Sequence, residues 1–377
     1  MNLKTIFLFA FTTCISFLQA QTKMNVIKAS SDKVGIRDGK IWKGEMWTIV
    51  PEANPDVYVT FNTQVTFITN QDSITVRVSP KNPVVDFVIL LNGKDSARTQ
   101  VKYQESYIAR LKKAAKFNYS DKRFVPEFTY QALNDERLMK IRKDLKLDSI
   151  AGEGNEVSKI INLMHWVHNT VRHDGSSDNP VLKNALDLIQ VCKMENRGIN
   201  CRMMATILNE CYLSMGIKSR HITCMPKETK FEDCHVINMV YSRDLKKWIW
   251  MDPTFDAYVM DEKGELLGVQ EVRERLISGK TLILNPDANW NRRNSQTKEE
   301  YLDQYMAKNL YRLETPVTSE YDTETQKEGK VFVYIQLLPL DGLEQTPQKV
   351  ESTIIQTGER FVIYKTNNPD LFWVKPE

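Results

Sequence analysis

The chain has 377 residues, of which 42% are hydrophobic and 26% are charged, so it is long enough for two or three domains with hydrophobic cores. Its 51 Lys and Arg residues nearly balance its 48 Asp and Glu residues, for a formal net charge of +3. That balance argues against a nucleic-acid partner, because a nucleic-acid-binding protein is expected to carry a concentrated basic surface.

The N-terminal segment is typical of a secretory signal peptide. Lys4 precedes a mostly apolar run over residues 6–17, and Ala20 is a small residue at the expected cleavage position. We therefore predict a signal peptide at residues 1–20 rather than a buried helix, and a secreted or periplasmic mature protein. The run is short for a membrane span, and residues 11–13 lack the small apolar residues of a lipoprotein signal. No membrane association is expected after cleavage.

The cysteine count leaves an unpaired thiol in the mature chain. Five of the six cysteines follow the signal: Cys192, Cys201, Cys211, Cys224 and Cys234. An odd number in an oxidising compartment leaves at least one thiol outside any intramolecular pair. If that thiol is Cys201, the other four allow several pairings, Cys224 with Cys234 among them. They are equally compatible with being buried and reduced.

The region after the signal predicts a β-rich module. Hydrophobic residues alternate in strands at 57–61, 65–68 and 74–78, and a more continuous apolar strand at 84–91 ends in a tight turn. We assign residues 21–125 to an N-terminal β-sandwich-like module with an accessory binding or packing role.

The next region changes to helical periodicity and then to strands. Helices are predicted at residues 133–147, from Asn155 to about 171, and from Cys201 to a stop at Gly216. Three strands follow, at residues 219–224, 234–241 and 247–251. Helices followed by an antiparallel sheet indicate an α+β core, which we assign to residues 126–289.

The remaining residues, 290–377, form a β-rich C-terminal extension. Residues 290–314 are polar and predicted to be helical, and strands are predicted at 331–335, 361–364 and 371–374. The pattern leaves open whether these strands complete the core sheet or form a separate module.

Cys201 is the candidate nucleophile because of its place at a helix start. Asn200 is a favourable N-cap, so Cys201 falls in the first helical turn. There the free N–H groups and the helix dipole favour a thiolate and lower the thiol pKa. The backbone N–H of Cys201 can also donate to an oxyanion. A small buried hydrophobic cysteine is the alternative.

The hairpin downstream supplies a base and a carboxylate. His235 lies in the strand at 234–241, and Asp252 ends the strand at 247–251. If the two residues pair directly, residues 242–245 form a short loop of a common hairpin length. The same register would place Ile237 opposite Trp250. His235 and Asp252 then share an apolar face, as a general base and its orienting carboxylate require.

These blocks together resemble the transglutaminase-like superfamily. The resemblance rests on Asn-Cys-Arg at 200–202, Gly-Ile-Lys-Ser-Arg at 216–220, Cys-His-Val-Ile-Asn at 234–238 and Trp-Ile-Trp-Met-Asp-Pro-Thr at 248–254, and it covers about residues 130–285. It implies a papain-like core in which a helix-borne cysteine and a strand-borne histidine and aspartate form a catalytic triad.

The resemblance implies that Cys201, His235 and Asp252 are that triad. The chain departs from the family pattern in having Arg202 after the cysteine and Ile237 two residues after the histidine, where aromatic residues are common. These two positions concern the walls of the cleft, and therefore the substrate more than the triad. Family membership does not determine the reaction, because the superfamily includes transglutaminases, peptidases, amidases and inactive members.

Other residues are weaker candidates. Trp166 and Asn200 are candidates for the second oxyanion donor, although core packing and helix capping also account for them. His165, His168 and His173 lack acidic or cysteine partners at metal-binding spacing, so neither a metal site nor any other cofactor is expected.

Three functions are compatible with these residues. The preferred one is a cysteine peptidase or amidase that acts on a peptide, protein or glycopeptide substrate. The second is a protein-glutamine transglutaminase, which passes the same thioester to a lysine amine. The third is a non-catalytic module that binds a glycan or a protein.

Overall fold

The computed structural model describes residues 24–52, 54–228, 233–341 and 345–377. The predicted signal peptide and its cleavage position lie outside the described residues. The chain divides into two compact units, Met1–Glu105 and Ser106–Glu377. The sequence placed this boundary at residue 125, but Leu111 and Ala114 belong to a hydrophobic core of the second unit. No described helix is long and apolar enough to cross a membrane.

The first unit is a β-sandwich. Its described strands are β1 (Asn25–Ala29), β2 (Lys33–Asp38), β3 (Ile41–Thr48), β4 (Asp56–Thr60), β5 (Gln64–Ile68), β6 (Ser73–Arg77), β7 (Val84–Leu91) and β8 (Asp95–Tyr103). They form two sheets, with strand orders β1-β7-β8-β4 and β3-β2-β5-β6.

The two sheets of this unit bury alternate side chains against each other. Phe67 on β5 and Phe87 on β7 are both fully buried, and their ring centroids lie 5.0 Å apart. The strand-rich N-terminal region is therefore confirmed. It begins with β1 to β3, which the alternation in the sequence did not predict.

The second unit contains helices and a large sheet. Its described helices are α1 (Tyr107–Lys113), α2 (Glu136–Asp144), α3 (Leu147–Ala151), α4 (Glu156–Thr170), α5 (Ala185–Met194), α6 (Cys201–Ser214), α7 (Val269–Ser278), a π-helix (Glu299–Met306), α8 (Ala307–Asn309) and α9 (Pro369–Phe372). Its described strands are β9 (Thr129–Tyr130), β10 (Ser219–Met225), β11 (His235–Ser242), β12 (Lys247–Met251), β13 (Val259–Met260), β14 (Ile283–Leu284), β15 (Asn289–Trp290), β16 (Asn294–Ser295), β17 (Arg312–Pro316), β18 (Thr318–Ser319), β19 (Val331–Leu337), β20 (Lys349–Thr353) and β21 (Arg360–Thr366).

The C-terminal strands continue the core sheet. Seven strands form one sheet in the order β12-β11-β10-β17-β19-β21-β20. The sheet is antiparallel except for the parallel pair β19 and β21. The sequence left open whether the C-terminal extension completes the core sheet or forms a separate module. In the structure, the extension completes the core sheet.

Side chains from both faces of the sheet are buried. On β12, Trp248 and Trp250 pack into the core that contains α7 and the π-helix. Ile249 and Met251 point the other way, into the core formed with α2 to α6. The α+β class, with helices before a largely antiparallel sheet, is confirmed.

Several predicted elements differ from the structure. The helix predicted at residues 133–147 is shorter in the structure: α2 ends at Asp144, and Lys146, in a left-handed conformation with φ of 54°, separates it from α3. The strand predicted at 371–374 is wrong: Asn368 caps a short helix, α9, that begins at Pro369. Residues 290–314 include short strands and β17 as well as the π-helix.

Candidate active site

Cys201 is the first residue of α6. The Asn200 side chain accepts a hydrogen bond from the Met203 N–H at 3.1 Å, which caps the helix. The same amide donates to Asn179 Oδ1 at 2.7 Å, so both ends of the Asn200 side chain are engaged. The helix packs against the sheet, where Asn238 Nδ2 donates to the Ala205 carbonyl at 2.9 Å. The thiol therefore lies at the positive end of a helix that the core holds in place.

His235 and Asp252 form a buried pair. His235 Nε2 lies 2.7 Å from Asp252 Oδ2, and the two side chains are 1% and 0% exposed. The other carboxylate oxygen accepts from the backbone N–H groups of Thr254 and Phe255 at 2.8 and 3.3 Å. Since Nε2 is bound to the carboxylate, Nδ1 is the ring nitrogen left for Cys201. The structure thus brings together the three residues that the sequence singled out.

The hairpin that carries this pair has a different register from the predicted one. Met239, rather than Ile237, lies opposite Trp250, so β11 is displaced by two residues along β12. A displacement of two residues keeps every side chain on its predicted face. Asp252 therefore reaches His235 diagonally, and the predicted contact survives the error in the pairing.

The surroundings of Cys201 favour an ion pair. Burial raises the pKa of this thiol, but hydrogen bonds with His173 and His235, the charge of His235 and the Val236 N–H outweigh burial and lower the pKa to about 6. Burial alone would lower the pKa of His235, but the charge and hydrogen bond of Asp252, and then those of Cys201, raise it to about 10. Between these values the site holds a thiolate beside an imidazolium.

A tyrosine from the π-helix completes the hydrogen bonds of Asp252. Tyr301 Oη donates to Asp252 Oδ2 at 2.6 Å and accepts from Trp250 Nε1–H at 3.2 Å. The rings of Phe255 and Tyr305 pack edge-on against His235, with centroids 5.5 and 5.2 Å away. These groups surround the imidazole with aromatic side chains, and the sequence did not identify Tyr301 or Tyr305.

Of the two positions that depart from the family pattern, Arg202 is partly exposed and Ile237 is buried. Arg202 Nη2 donates to Thr223 Oγ1 at 3.0 Å, and its Nη1 lies 3.5 Å from Glu324. Burial raises the pKa of the Glu324 carboxyl, but the charge of Arg202 and the interactions with His221 outweigh burial and lower this pKa to about 2. Arg202 thus anchors the first turn of α6 to β10, and Ile237 is fully buried in the core.

The remaining sequence candidates are placed as follows. Trp166 packs against the core formed with α2 to α6. His165 Nδ1 lies 2.5 Å from Asp256 Oδ1. The His168 ring is buried between the Pro253 carbonyl and Asn289 Oδ1, each 3.0 Å away. In the described ranges, no group of three or more His, Cys, Asp or Glu side chains is arranged to hold a metal ion.

His173 is a site residue that the sequence did not identify. It follows the end of α4, forms a backbone bridge with Ile199, two residues before Cys201, and its side chain contributes to the lowered pKa of the Cys201 thiol. Its Nδ1 accepts from Trp290 Nε1–H at 3.1 Å. Spacing along the chain gives no signal for this contact, because Trp290 is 117 residues away.

The cysteines after the predicted signal are all free thiols. Cys192, Cys211 and Cys224 are buried, and Cys201 and Cys234 are partly exposed. Cys224 and Cys234 are thus not joined, and the alternative of reduced cysteines describes the structure. Burial raises the pKa of Cys224 well above its ordinary value, whereas the Cys201 pKa is lowered. Cys201 is therefore the better nucleophile of the two.

Comparisons with known proteins agree with the sequence motifs. Residues 143–253 match the family model described as the transglutaminase-like superfamily. Among curated proteins, no significant match was found.

Three solved structures are similar to parts of the chain. A candidate cysteine protease from Cytophaga hutchinsonii is 19% identical, with a TM-score of 0.26 over 41% of this chain and 51% of its own. LapG from Legionella pneumophila, in an EGTA-treated form, is 10% identical, with a TM-score of 0.24 over 35% of this chain and 74% of its own. A red sea bream transglutaminase is 11% identical, with a TM-score of 0.22 over 62% of this chain and 49% of its own. The matched regions thus span about half the length of the Cytophaga hutchinsonii protein and of the red sea bream transglutaminase. The family match, over residues 143–253, identifies this part of the chain as a transglutaminase-like core.

Proposed function

We propose that the protein is a thiol enzyme that cleaves or transfers an amide acyl group through a thioester at Cys201. The observation that carries this proposal is the continuous set of contacts from the Cys201 sulfur through His235 to Asp252. A lowered thiol pKa and a raised imidazole pKa make the pair ready for nucleophilic attack and for protonation of a leaving group.

Each proton in the proposed reaction has a place. The Cys201 thiolate attacks the amide carbon, a C–S bond forms, and the carbonyl electron pair moves to oxygen. As the carbonyl re-forms, the C–N bond breaks and the amine takes the proton of the His235 imidazolium. Water then attacks the thioester while His235 accepts its proton. As the C–S bond breaks, the acid is released, and the Cys201 thiolate and the His235 imidazolium are restored. Asp252 holds the imidazole in the required tautomer throughout.

A cysteine peptidase or amidase is the first candidate, because water is the default acyl acceptor. The substrate would be a peptide, a protein or a glycopeptide outside the cytoplasm. The signal-like segment at residues 1–20 supports export, and mass spectrometry of the mature N-terminus tests the predicted cleavage after Ala20. A mature chain that retains residues 1–20 would contradict the export part of the proposal.

A transglutaminase is the second candidate, and one observation favours it. Phe255 and Tyr305 pack against His235 and provide an aromatic surface beside the imidazole, which would help a reaction that must exclude water. A lysine amine would then replace water as the acceptor of the Cys201 thioester.

One pair of assays separates these candidates. Release of new amines from casein indicates a hydrolase, and incorporation of a fluorescent primary amine into casein indicates a transferase. Cys201→Ala must abolish whichever signal is present, and Cys192→Ala, which removes a buried thiol on α5, serves as the matched control. If iodoacetamide modifies Cys201 no faster than Cys234, the enzyme proposal is wrong and a non-catalytic binding module is favoured.

A further inference from the structure

We propose that His173 is a catalytic residue, the second oxyanion donor beside the backbone N–H of Cys201. The proposal rests on the proposed function and adds the group that stabilises its tetrahedral intermediate. Three features carry it: the backbone pairing that holds His173 beside Cys201, the indole that fixes its tautomer, and the capping and packing roles of the two donors suggested by the sequence.

The backbone holds His173 next to the start of α6. His173 forms a parallel bridge with Ile199, two residues before Cys201. The Ile199 N–H donates to the Arg172 carbonyl at 3.0 Å, and the Asp174 N–H donates to the Ile199 carbonyl at 2.8 Å. The position of the histidine relative to the thiol is therefore set by hydrogen bonds on both sides of it.

A second set of hydrogen bonds fixes the same backbone from the other direction. Asn291 Oδ1 accepts from the His173 N–H at 2.7 Å, and Asn291 Nδ2 donates to the His173 carbonyl at 2.9 Å. Asn291 follows Trp290, the residue whose indole contacts the histidine ring. One short segment therefore holds both the main chain and the side chain of His173.

The indole decides which ring nitrogen carries the proton. Trp290 Nε1–H donates to His173 Nδ1 at 3.1 Å, and an indole nitrogen can only donate. Nδ1 must therefore be unprotonated, which places the single ring proton on Nε2. Since Nδ1 is occupied by Trp290, Nε2–H is the group available to the Cys201 sulfur.

This arrangement makes His173 a neutral donor rather than a second base. A proton on Nδ1 would oppose the N–H of Trp290, whereas the corresponding partner of His235 is the carboxylate of Asp252. When the C–S bond forms and the carbonyl electron pair moves to oxygen, His173 Nε2–H can turn from sulfur to that oxygen without transferring its proton.

The two donors suggested by the sequence have other roles in the structure. The Asn200 amide caps α6 and donates to Asn179, and Trp166 packs into the core formed with α2 to α6. Both have packing or capping roles that do not require an oxyanion.

Two reactions of Cys201 distinguish an oxyanion donor from a structural residue. Acylation by p-nitrophenyl acetate passes through an oxyanion, whereas alkylation by iodoacetamide does not. Both are measured well above the Cys201 pKa, where the thiolate is fully formed. We expect His173→Ala to lower the acylation rate by about 10²–10³-fold and to change the alkylation rate by less than about threefold. His173→Gln, whose amide retains a donor, should recover part of the acylation rate.

Trp290→Phe keeps His173 in place and removes the N–H that fixes its tautomer. Its acylation rate should fall between the rates of the wild type and His173→Ala, with alkylation unchanged. Nitrogen NMR of the wild type should show the Nε2-protonated tautomer of His173, and Trp290→Phe should shift the tautomer ratio toward Nδ1–H. His165→Gln, in a histidine paired with Asp256, is the matched control and should change neither rate.

Each contrary result overturns a defined part of the proposal. Equal losses of acylation and alkylation in His173→Ala, or no loss in either, would exclude the oxyanion role and leave the proposed function intact. An Nδ1-protonated His173 in the wild type would do the same. A wild-type Cys201 that p-nitrophenyl acetate does not acylate would overturn the proposed function and this proposal together.

Discussion

The phenol oxygen of Tyr301 lies 2.6 Å from Oδ2 of Asp252, the same carboxylate oxygen that contacts His235. Tyr301 also accepts from Trp250 Nε1–H, so a chain of hydrogen bonds runs from Trp250 through Tyr301 to the carboxylate and on to His235. Because the other oxygen accepts backbone N–H groups, the Asp252 side chain has no freedom to rotate away from the imidazole.

Tyr301→Phe should weaken both the activity and the fold. The carboxylate loses a charge-assisted hydrogen bond, and the Trp250 N–H loses its acceptor, so we expect a loss of about 1–3 kcal/mol in the free energy of unfolding. Because His235 would then be less well oriented, we expect kcat to fall by about tenfold or more. Chemical denaturation and kcat on the active substrate measure the two effects.

Tyr212→Phe is the matched control for this variant. The Tyr212 hydroxyl is also buried and donates to the Ile160 carbonyl at 2.9 Å, away from Asp252. A similar loss of stability with unchanged kcat is expected. Equal activity losses in the two variants would show that Tyr301 acts through the fold alone.

The thiolate–imidazolium pair predicts two different pH profiles. Because the Cys201 pKa is lowered to about 6, alkylation by iodoacetamide should rise through about pH 6 and then stay level. Amide cleavage also needs the His235 proton, so it should rise at the same pH and fall as the raised His235 pKa, about 10, is passed. An alkylation rate that rises only near the ordinary thiol pKa of 9.0 would contradict the ion pair.

Asp252→Asn should narrow the active pH range from both sides. Loss of the carboxylate charge lowers the His235 pKa, and a less charged His235 stabilises the Cys201 thiolate less, so the thiol pKa rises. At the optimum we expect kcat to fall on the order of 10³–10⁴-fold. The pH profile of Cys201 alkylation reports the thiol shift directly, and an unchanged profile would mean that the carboxylate does not act through His235.

Glu210 predicts a pH-dependent loss of stability. This fully buried carboxyl accepts the N–H groups of Ala185 and Asp322, each at 2.8 Å, and burial raises its pKa from 4.5 to about 8. A raised folded-state pKa means that the protonated form stabilises the fold. Its contribution is complete below about pH 4.5 and is lost as the pH rises to about 8.

Glu210→Gln removes this titration. As the pH is raised from 5 to 8, the Tm of the wild type should fall relative to the Tm of the variant. This expectation holds whatever the difference between the two Tm values at pH 5. Thermal unfolding at several pH values within this window measures the two slopes. Parallel slopes would show that Glu210 does not titrate in this range.

Gly198→Ala should separate the His173 segment from Cys201. A Cβ at Gly198 would lie 2.7 Å from the Arg172 carbonyl oxygen and 2.6 Å from Asp174 Cβ, so the backbone pairing would have to open. We expect lower stability and slower acylation of Cys201. Gly44→Ala is the control, because a Cβ there would meet only Trp42, at 3.6 Å. Normal acylation by Gly198→Ala would mean that the pairing does not position the site.

The parts of the site that the sequence predicted depend on local chemistry. Asn200 before an apolar helical run determines where α6 begins, and therefore where Cys201 lies. Side chains alternate between the two faces along β11 and β12. A shift of the pairing by an even number of residues therefore keeps His235 and Asp252 on the same face of the sheet.

The parts that the sequence did not predict depend on contacts between distant segments. The hairpin turn is held by Glu156 on α4, whose carboxylate accepts from the Ser242 hydroxyl at 2.7 Å and the Asp244 N–H at 3.1 Å. Such a contact helps to determine the register of the hairpin, but it cannot be predicted from the alternation of hydrophobic and polar residues along the strands. Tyr301 is likewise 49 residues from Asp252, on a π-helix that periodicity does not distinguish from an α-helix.

The central strand β10 pairs with β11 on one side and with β17 on the other. A gene fusion or truncation limited to residues 143–253 would thus carry the thiol, the imidazole and the carboxylate on a sheet with an open edge. It would lack Trp290 and Tyr301, which orient two of the groups around the sulfur. A fragment intended to keep the complete site should therefore contain the whole second unit, Ser106–Glu377.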